Sequence, residues 1–259
     1  MSPSAAIAHW YNDTLTVWSH AQGMFPLRGA IAKVVNLPEN KVRLKHREAS
    51  GCYGHNGADD VACDAAIIAM QVPGEVIRLQ WSRQDEFRYE PLGSAMSIGL
   101  SAGVDEDGNI AYWHHDVWSA THSSRPAGAA GAGNLLAAGE ISGALPQPPP
   151  RNLQQPAGGG DRNAVPLYAF PQQLVTKHLV LDTPRRVSAL RALGAYANVF
   201  AIESFVDELA RFLGKDALDL RIKYLDDERA INVLERLRHV MAEEPEQREG
   251  FLGGRGLGF

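Results

Sequence analysis

The chain has 259 residues, a formal net charge of -5 and an isoelectric point near 6.0. That balance argues against a general binder of nucleic acid or anionic membrane, and no apolar run approaches the ~20 residues needed to span a bilayer. Hydrophobic residues make up 45% and charged residues 21%, enough for a real core in one large domain or two modest ones.

Two cysteines, Cys52 and Cys63, make neither a disulfide framework nor a zinc site. The first residues lack the basic region and apolar core of a secretion signal. This gives the expectation of a cytoplasmic chain, with a periplasmic or membrane-associated assembly left open.

In chain order, Leu15 to Ser19 reads as a strand. Phe25 to Val35 reads as a helix with Leu27, Ile31, Val34 and Val35 on one side; Pro26 suits its first turn, and Asn36 with Pro38 supplies the stop. Between them, Gln22 stands beyond a strand end with Gly23 clearing space. Its amide is either aimed past the sheet edge or simply solvated. Lys41 to Glu48 alternates Val42, Leu44 and His46 against charges, a half-exposed strand. Asp59 to Met70 puts Val61, Ala65, Ile68 and Ala69 at helical spacing, with Cys63 in its core face and Asp59 and Asp60 as helix-start acids favoured by the dipole, paired catalytic carboxylates being the weaker alternative.

The stretch 50–57 joins that strand to that helix and holds Gly51, Gly54 and Gly57. Glycine reaches positive φ cheaply and lets a ligand approach the backbone, and successive N–H groups ahead of a helix suit an anion or an oxo group. A tight connection with no ligand is the other reading. Further on, Pro73-Gly74 turns the chain into a strand at 76–81. Met96 to Val104 and Ile110 to Ser119 flank Asp105 to Asn109, whose Asp-Gly signals a hairpin. Residues 126–166, rich in Ala, Gly and Pro, form a long irregular segment. Leu174 to Leu181 is a strand, and Asn198–Leu213, Asp216–Leu225 and Asp227–Glu244 are helices. Their core stripes include Ile202, Val206, Leu209, Phe212, Leu218, Val233, Leu234 and Val240. The mixture fits an α+β fold of mixed sheets, a hairpin and packed helices. The expected division is a cofactor-binding part at 1–125, the irregular segment at 126–166, a strand-plus-helix part at 167–250, and at 251–259 the start of a following domain. The two ends give the expectation of a piece of something larger.

Candidate chemistry is thin taken one motif at a time. His114, His115, Asp116 and His122 complete no ligand set, since strand neighbours point to opposite faces, and no metal site is expected. No nucleophile elbow or Walker loop is present. Arg191 precedes an apolar helix, where it holds an anion or a carbonyl, or else pairs with Asp182 or Glu203.

Taken in order, however, three stretches resemble the molybdenum-binding (large) subunit of the xanthine dehydrogenase/aldehyde oxidase family, in its isoquinoline 1-oxidoreductase and nicotinate dehydrogenase branch. Leu15 to Gly23 with the helix after it resembles the family's strand-Gln-helix segment. Ser50-Gly51-Cys52-Tyr53-Gly54 resembles its Gly-Gly-Phe-Gly loop, with Cys and Tyr substituted. Ser188 to Gly194 with Asn198 to Ala210 resembles its Phe-Arg-Gly-Phe-Gly segment and following helix.

The resemblance implies a molybdenum–molybdopterin cofactor in its cytosine dinucleotide form. It assigns Gln22 and Arg191 to catalysis, Gln22, Gly51, Cys52, Tyr53, Gly54 and Arg191 to cofactor binding, and Leu193 to the substrate pocket. A leucine in place of the family's aromatic puts stacking on heterocycles in doubt. The implied reaction hydroxylates an N-heterocycle or an aldehyde with water as oxygen source. Electrons then leave through a separate [2Fe-2S] subunit, since no cluster-binding cysteines are present here. The family's general-base glutamate and an earlier domain match nothing in these residues, so activity is expected to need the remaining portions of the large subunit. The competing reading is a non-catalytic fragment or interaction module that keeps the fold without cofactor.

Overall fold

A computed structural model describes every residue except 1, 56, 127, 156, 157, 243–249, 251, 253–255 and 259. The tail expected to open a following domain, and the last residues expected in the final helix, therefore lie largely outside the described residues. The elements are β1 (Ala5–Tyr11), β2 (Thr14–Ser19), α1 (Met24–Val34), β3 (Val42–His46), α2 (Asp59–Gln71), β4 (Val76–Gln80), α3 (Arg83–Tyr89) and β5 (Leu92–Gly93). The chain continues with β6 (Met96–Val104), β7 (Ile110–Ala120), β8 (Gln173–Val180), β9 (Val187–Ser188), α4 (Ala195–Phe212), α5 (Ala217–Lys223) and α6 (Glu228–Ala242). Mixed sheets and packed helices make this the α+β fold expected. No described helix is long and apolar enough to cross a membrane.

Backbone contacts divide the chain into two compact units, residues 1–94, 120–153 and 181–191, and residues 95–119, 154–180 and 192–259. The first is built on a sheet of order β3-β2-β1-β4. β1 and β2 form a hairpin turned by Asn12 and Asp13 at positive φ, and α1 carries the chain across to a parallel β2–β3 pairing. One sheet face, with Ala6, Ala8, Leu15, Val17 and Val42, is buried with Leu27, Ile31, Val61 and Cys63 of the two helices. Each fully buried Val, Leu or Ile there contributes roughly 1.5–3 kcal/mol. α2 meets the sheet through Ala62, Ala65, Ala66 and Ala69, small enough to let backbones approach. α3 opens on a capping box: Ser82 Oγ accepts from the Asp85 amide, and Asp85 accepts from the Ser82 amide at 2.9 Å.

The second unit packs α4, α5 and α6 with a sheet of order β6-β7-β8. Asp105 turns the β6–β7 hairpin by accepting the amides of Asp107 and Asn109. Trp113, stacked at 4.8 Å on Phe170, centres a core with Ile202, Val206, Leu209 and Leu234. α4 ends on Gly214 at φ 63, with Lys215 N–H bound back to Ala210 O, a Schellman stop. Its buried Asn198 donates to Gly160 O and Arg162 O, so part of the glycine-rich stretch expected to be irregular is pinned in place.

Four stripe residues sit elsewhere than expected: Ile68, Phe212, Val233 and Val240 are exposed. Each lies roughly 80–110° around its helix from the middle of the buried face, so three-to-four spacing alone overcounted the core.

Candidate functional site

β2 ends on Ser19, whose hydroxyl donates to Ala58 O at 3.3 Å and accepts the Ala21 amide at 3.2 Å. That knot turns the chain before α1 and leaves Gln22 and Gly23 exposed at the end of the sheet. The glycine loop approaches from the β3 side. Tyr53 (φ 56) and Gly54 (φ 95) are successive left-handed residues, and His55 N–H closes the turn on Cys52 O at 3.0 Å. A left-handed tyrosine costs ~1–2 kcal/mol and persists only where its surroundings hold it. Here the Arg191 amide donates to Tyr53 O at 2.9 Å, and a Cβ on Gly54 would run into Ala189 O and lie 2.6 Å from Leu190 Cα. The loop is therefore clamped by residues 189–191.

Beneath it lies a cavity of about 170 Å³, entirely within the first unit, lined by Gln22, Gly23, Cys52, Gly54, Gly57 and Arg125 among others. Of the residues expected from sequence, it brings Gln22, Cys52 and Gly54 together. Gly51, Tyr53 and Arg191 are not in its lining. Gly51 packs under the Tyr53 ring, where a Cβ would sit 2.6 Å from a ring carbon, and the Arg191 guanidinium lies 5.3 Å from the centroid of that ring. Leu193 belongs to the second unit, at φ 56 in the turn before α4. Glu203, considered as a partner for Arg191, is bound by Arg221 and Tyr168 within that second unit.

The cation in the lining is Arg125, which sequence reasoning passed over. Its Nη2 donates to Gly54 O at 2.7 Å and its Nη1 to Asp59 Oδ2 at 3.1 Å. A Cβ on Gly57 would sit 2.5 Å from Nη1, so that glycine makes room for the guanidinium. The only local signal was an arginine before a proline just past β7, which many loops share.

Asp59 and Asp60 also need correction as plain helix-start acids. Both are buried, and the N-cap, Ala58 at φ 55, makes no side-chain cap. Asp60 takes both ends of Arg186, at 2.8 and 3.0 Å, and the Leu136 amide at 2.8 Å. Burial pushes Asp59 up to about 6, against the pull of Arg125 and with the push of Asp60. Burial likewise raises Cys52, whose thiol donates to His55 O, so it is a neutral group in this wall. His115 is buried against Asn198 at 3.1 Å, and among the described residues no group of three or more His, Cys, Asp or Glu could hold a metal ion.

A family profile described as the molybdopterin cofactor-binding domain matches residues 1–139, over half of the chain. The chain belongs to that family. The family resemblance read from the sequence holds at this level, with residues 188–210 beyond the matched span. A nicotinate dehydrogenase subunit of Pseudomonas putida is 32% identical over all of this chain, which covers 21% of that relative. The beta subunit of isoquinoline 1-oxidoreductase of Brevundimonas diminuta is 26% identical over 87% of the chain, covering 26% of that protein. Among solved structures, the aldehyde oxidoreductase of Desulfovibrio gigas superposes with a TM-score of 0.70 at 19% identity, over 92% of this chain and 25% of that one. The chain thus spans about a fifth to a quarter of the length of these relatives.

As a molybdopterin cofactor-binding domain, this chain offers a cavity that suits one end of such a cofactor. At ~30 Å³ per water, 170 Å³ is room for about five or six waters, the size of a phosphate or oxo-anion head. A guanidinium, a primary amide and glycines without Cβ atoms are donors and clearances of the right kind for such a head.

Proposed function

We propose that this chain is the cofactor-holding part of an oxidoreductase that hydroxylates an N-heterocycle or an aldehyde, with water as the oxygen source. The cofactor we assign is molybdopterin in its cytosine dinucleotide form, and the electron-accepting partner is a small [2Fe-2S] subunit. One observation carries the reading: Gln22, Gly54, Gly57 and the Arg125 guanidinium line one cavity in a chain that belongs to a molybdopterin cofactor-binding family.

When bound, the cofactor supplies a Lewis-acidic metal and a two-electron sink. The chain's own residues bind and orient. Gln22, exposed and carried on the knot at Ser19, presents two N–H donors and a carbonyl acceptor to an oxygen-bearing ligand. Arg125 meets the anionic part with the edge of its guanidinium not spent on Gly54 and Asp59. Arg191 acts one step back, holding the Tyr53 carbonyl with its amide and the Tyr53 ring with its guanidinium, and so fixes the loop that forms the cavity wall. With Asp59 ionised above pH ~6, Arg125 is partly neutralised, which favours release of an anion; protonating Asp59 favours its retention.

The test is metal and pterin content of the purified chain, co-expressed with a [2Fe-2S] subunit in a host that makes the cofactor. Near-stoichiometric molybdenum in wild type, reduced severalfold in Gln22→Ala and Arg125→Gln, supports the assignment. A folded chain with no molybdenum or pterin under those conditions overturns it in favour of a fold kept without cofactor.

A further inference from the structure

The sheet of the first unit has a second face, turned away from α1 and α2. Strand register places Lys45, Trp18, Ile7 and Arg78 side by side across β3, β2, β1 and β4. Each alternates with a residue that faces the helices, such as Leu44, Val17, Ala6 or Leu79. The row therefore has an apolar middle with a cation on each flank. Ile7 is exposed and Trp18 half-buried, a poor use of a tryptophan and an isoleucine unless something covers them.

A cavity of about 320 Å³ opens on this row and shares no lining residue with the one at Gln22. Its floor is Ile7, Trp18 and the backbone of β1. Arg47 and Arg78 stand on its walls. The Arg47 amide is held by Ser19 O at 2.9 Å, and the hydroxyl of Ser50 accepts from the Ser2 amide, so the wall carrying Arg47 is tied to the end of β2 and to the segment before β1. Arg78 Nη2 donates to Gln80 Oε1 at 2.6 Å, a neutral partner that orients the guanidinium without cancelling its charge. Neither arginine makes an ion pair with a carboxylate among the described residues. Glu48 is the one acid in the lining, and the Lys45 ammonium, 5.4 Å from the Trp18 ring, adds another cation nearby.

The chemistry asked of an occupant is specific. Inorganic phosphate would use the arginines and waste the indole. A neutral ring would use the indole and leave two guanidinium groups unanswered. The volume, about ten waters' worth at ~30 Å³ each, holds one ring and its substituent. We propose that this cavity binds a small aromatic carboxylate, its ring on Trp18 and Ile7 and its carboxylate on a flanking guanidinium, that of Arg47 or Arg78. The site is independent of the cofactor assignment and stands or falls without it.

Isothermal titration of the full 259-residue chain with benzoate at low salt is the test, with benzyl alcohol, acetate and phosphate titrated in parallel. One saturable benzoate site that weakens in the double variant below is expected, with each of the other three at least about tenfold weaker in the part of its binding that this variant removes. The double variant Arg47→Gln, Arg78→Gln should weaken benzoate by about tenfold or more, and Trp18→Leu by roughly fivefold, because a charge-assisted pair and a ring contact are each lost. The two arginines are exposed and outside the core, so the double variant keeps the wild-type melting temperature. Benzoate binding absent in wild type, undiminished in the double variant, or matched by acetate or phosphate binding that the double variant removes overturns the proposal.

Discussion

Nη2 of Arg125 donates to the carbonyl oxygen of Gly54 at 2.7 Å, tying an arginine that follows β7 to the tip of the glycine loop. The same guanidinium neutralises the buried Asp59, so one side chain supports both the loop and the start of α2. Arg125→Gln removes that charge and leaves Asp59 without its cation. Breaking a buried pair from one side costs about 3–5 kcal/mol, and the partial exposure of Arg125 reduces this to roughly 2–3 kcal/mol. A urea denaturation series should show that loss, and adding Asp59→Asn should recover part of it. Equal midpoints for wild type and Arg125→Gln would mean the pair is idle.

Gly54 is needed twice, for a φ of 95 and for the approach of Ala189 and Leu190. Gly54→Ala should cost on the order of 2–3 kcal/mol, combining a left-handed backbone with a forced displacement of the 189–191 segment. Gly139→Ala is the control: φ there is not in the left-handed range and a Cβ meets nothing within 4 Å. It should be neutral within about 0.5 kcal/mol. The loop should also loosen in Gly54→Ala, read as faster alkylation of the half-buried Cys52 with Cys63 unchanged in the core.

These two residues show what is legible in the sequence and what is not. Gly54 stands in a pattern whose meaning is local, as does Gln22, which follows a strand by a fixed distance. Arg125 acts through Asp59 and Gly54, at least 66 residues away in sequence, and no periodicity announces such a pairing. Arg191 is marked by its motif but its geometry is not, because its guanidinium settles on the Tyr53 ring and not in the cavity lining. β1 escapes a pattern reading because alanines and a histidine dilute its alternation, and α3 because a short helix has little room for a stripe. Burial decides the misjudged acids: Asp59 and Asp60 have the right spacing for solvated helix-start residues and become ion-pair partners only because Arg125 and Arg186 are folded onto them.

Asp64 gives a pH signature with a definite sign. Burial, then the charge of Asp60, raises it to about 6, while the unfolded side chain ionises near ~3.9. Between those values the folded chain keeps a proton that the unfolded chain has lost. The contribution is therefore complete below pH ~4 and disappears as the pH rises through 6, a change on the order of 2 kcal/mol. Its hydrogen-bond donor is the neutral Trp81 indole at 3.2 Å, which an asparagine oxygen satisfies equally. Asp64→Asn should thus gain stability relative to wild type as the pH goes from 4 to 7, measured by urea midpoints at each pH. Parallel midpoint-versus-pH curves would refute this.

In the second unit the comparable pair is Arg221 and Glu203. Arg221 is fully buried; its Nε reaches Glu203 Oε2 at 2.9 Å, its Nη1 reaches Asp207 Oδ1 at 2.8 Å, and its Nη2 caps the Glu203 carbonyl at 3.0 Å. Tyr168 completes the carboxylate at 2.8 Å and is itself held far above its ordinary pKa, by burial first and then by the Glu203 charge. Such a network joins α4, α5 and the segment before β8 through polar bonds where a smaller fold would use apolar side chains. Arg221→Met leaves Glu203 charged and underpaired and should cost about 3–5 kcal/mol, enough to unfold a marginal domain. Arg221→Lys should recover little of that loss, because an ammonium cannot span two carboxylates and a carbonyl from one planar group. The double change Arg221→Met, Glu203→Leu should be closer to wild type than Arg221→Met alone, since an apolar pair no longer leaves a buried charge. A double variant no more stable than Arg221→Met, in matched thermal melts, would show that the network sets the packing of α4 on α5 and does not merely satisfy its own charges.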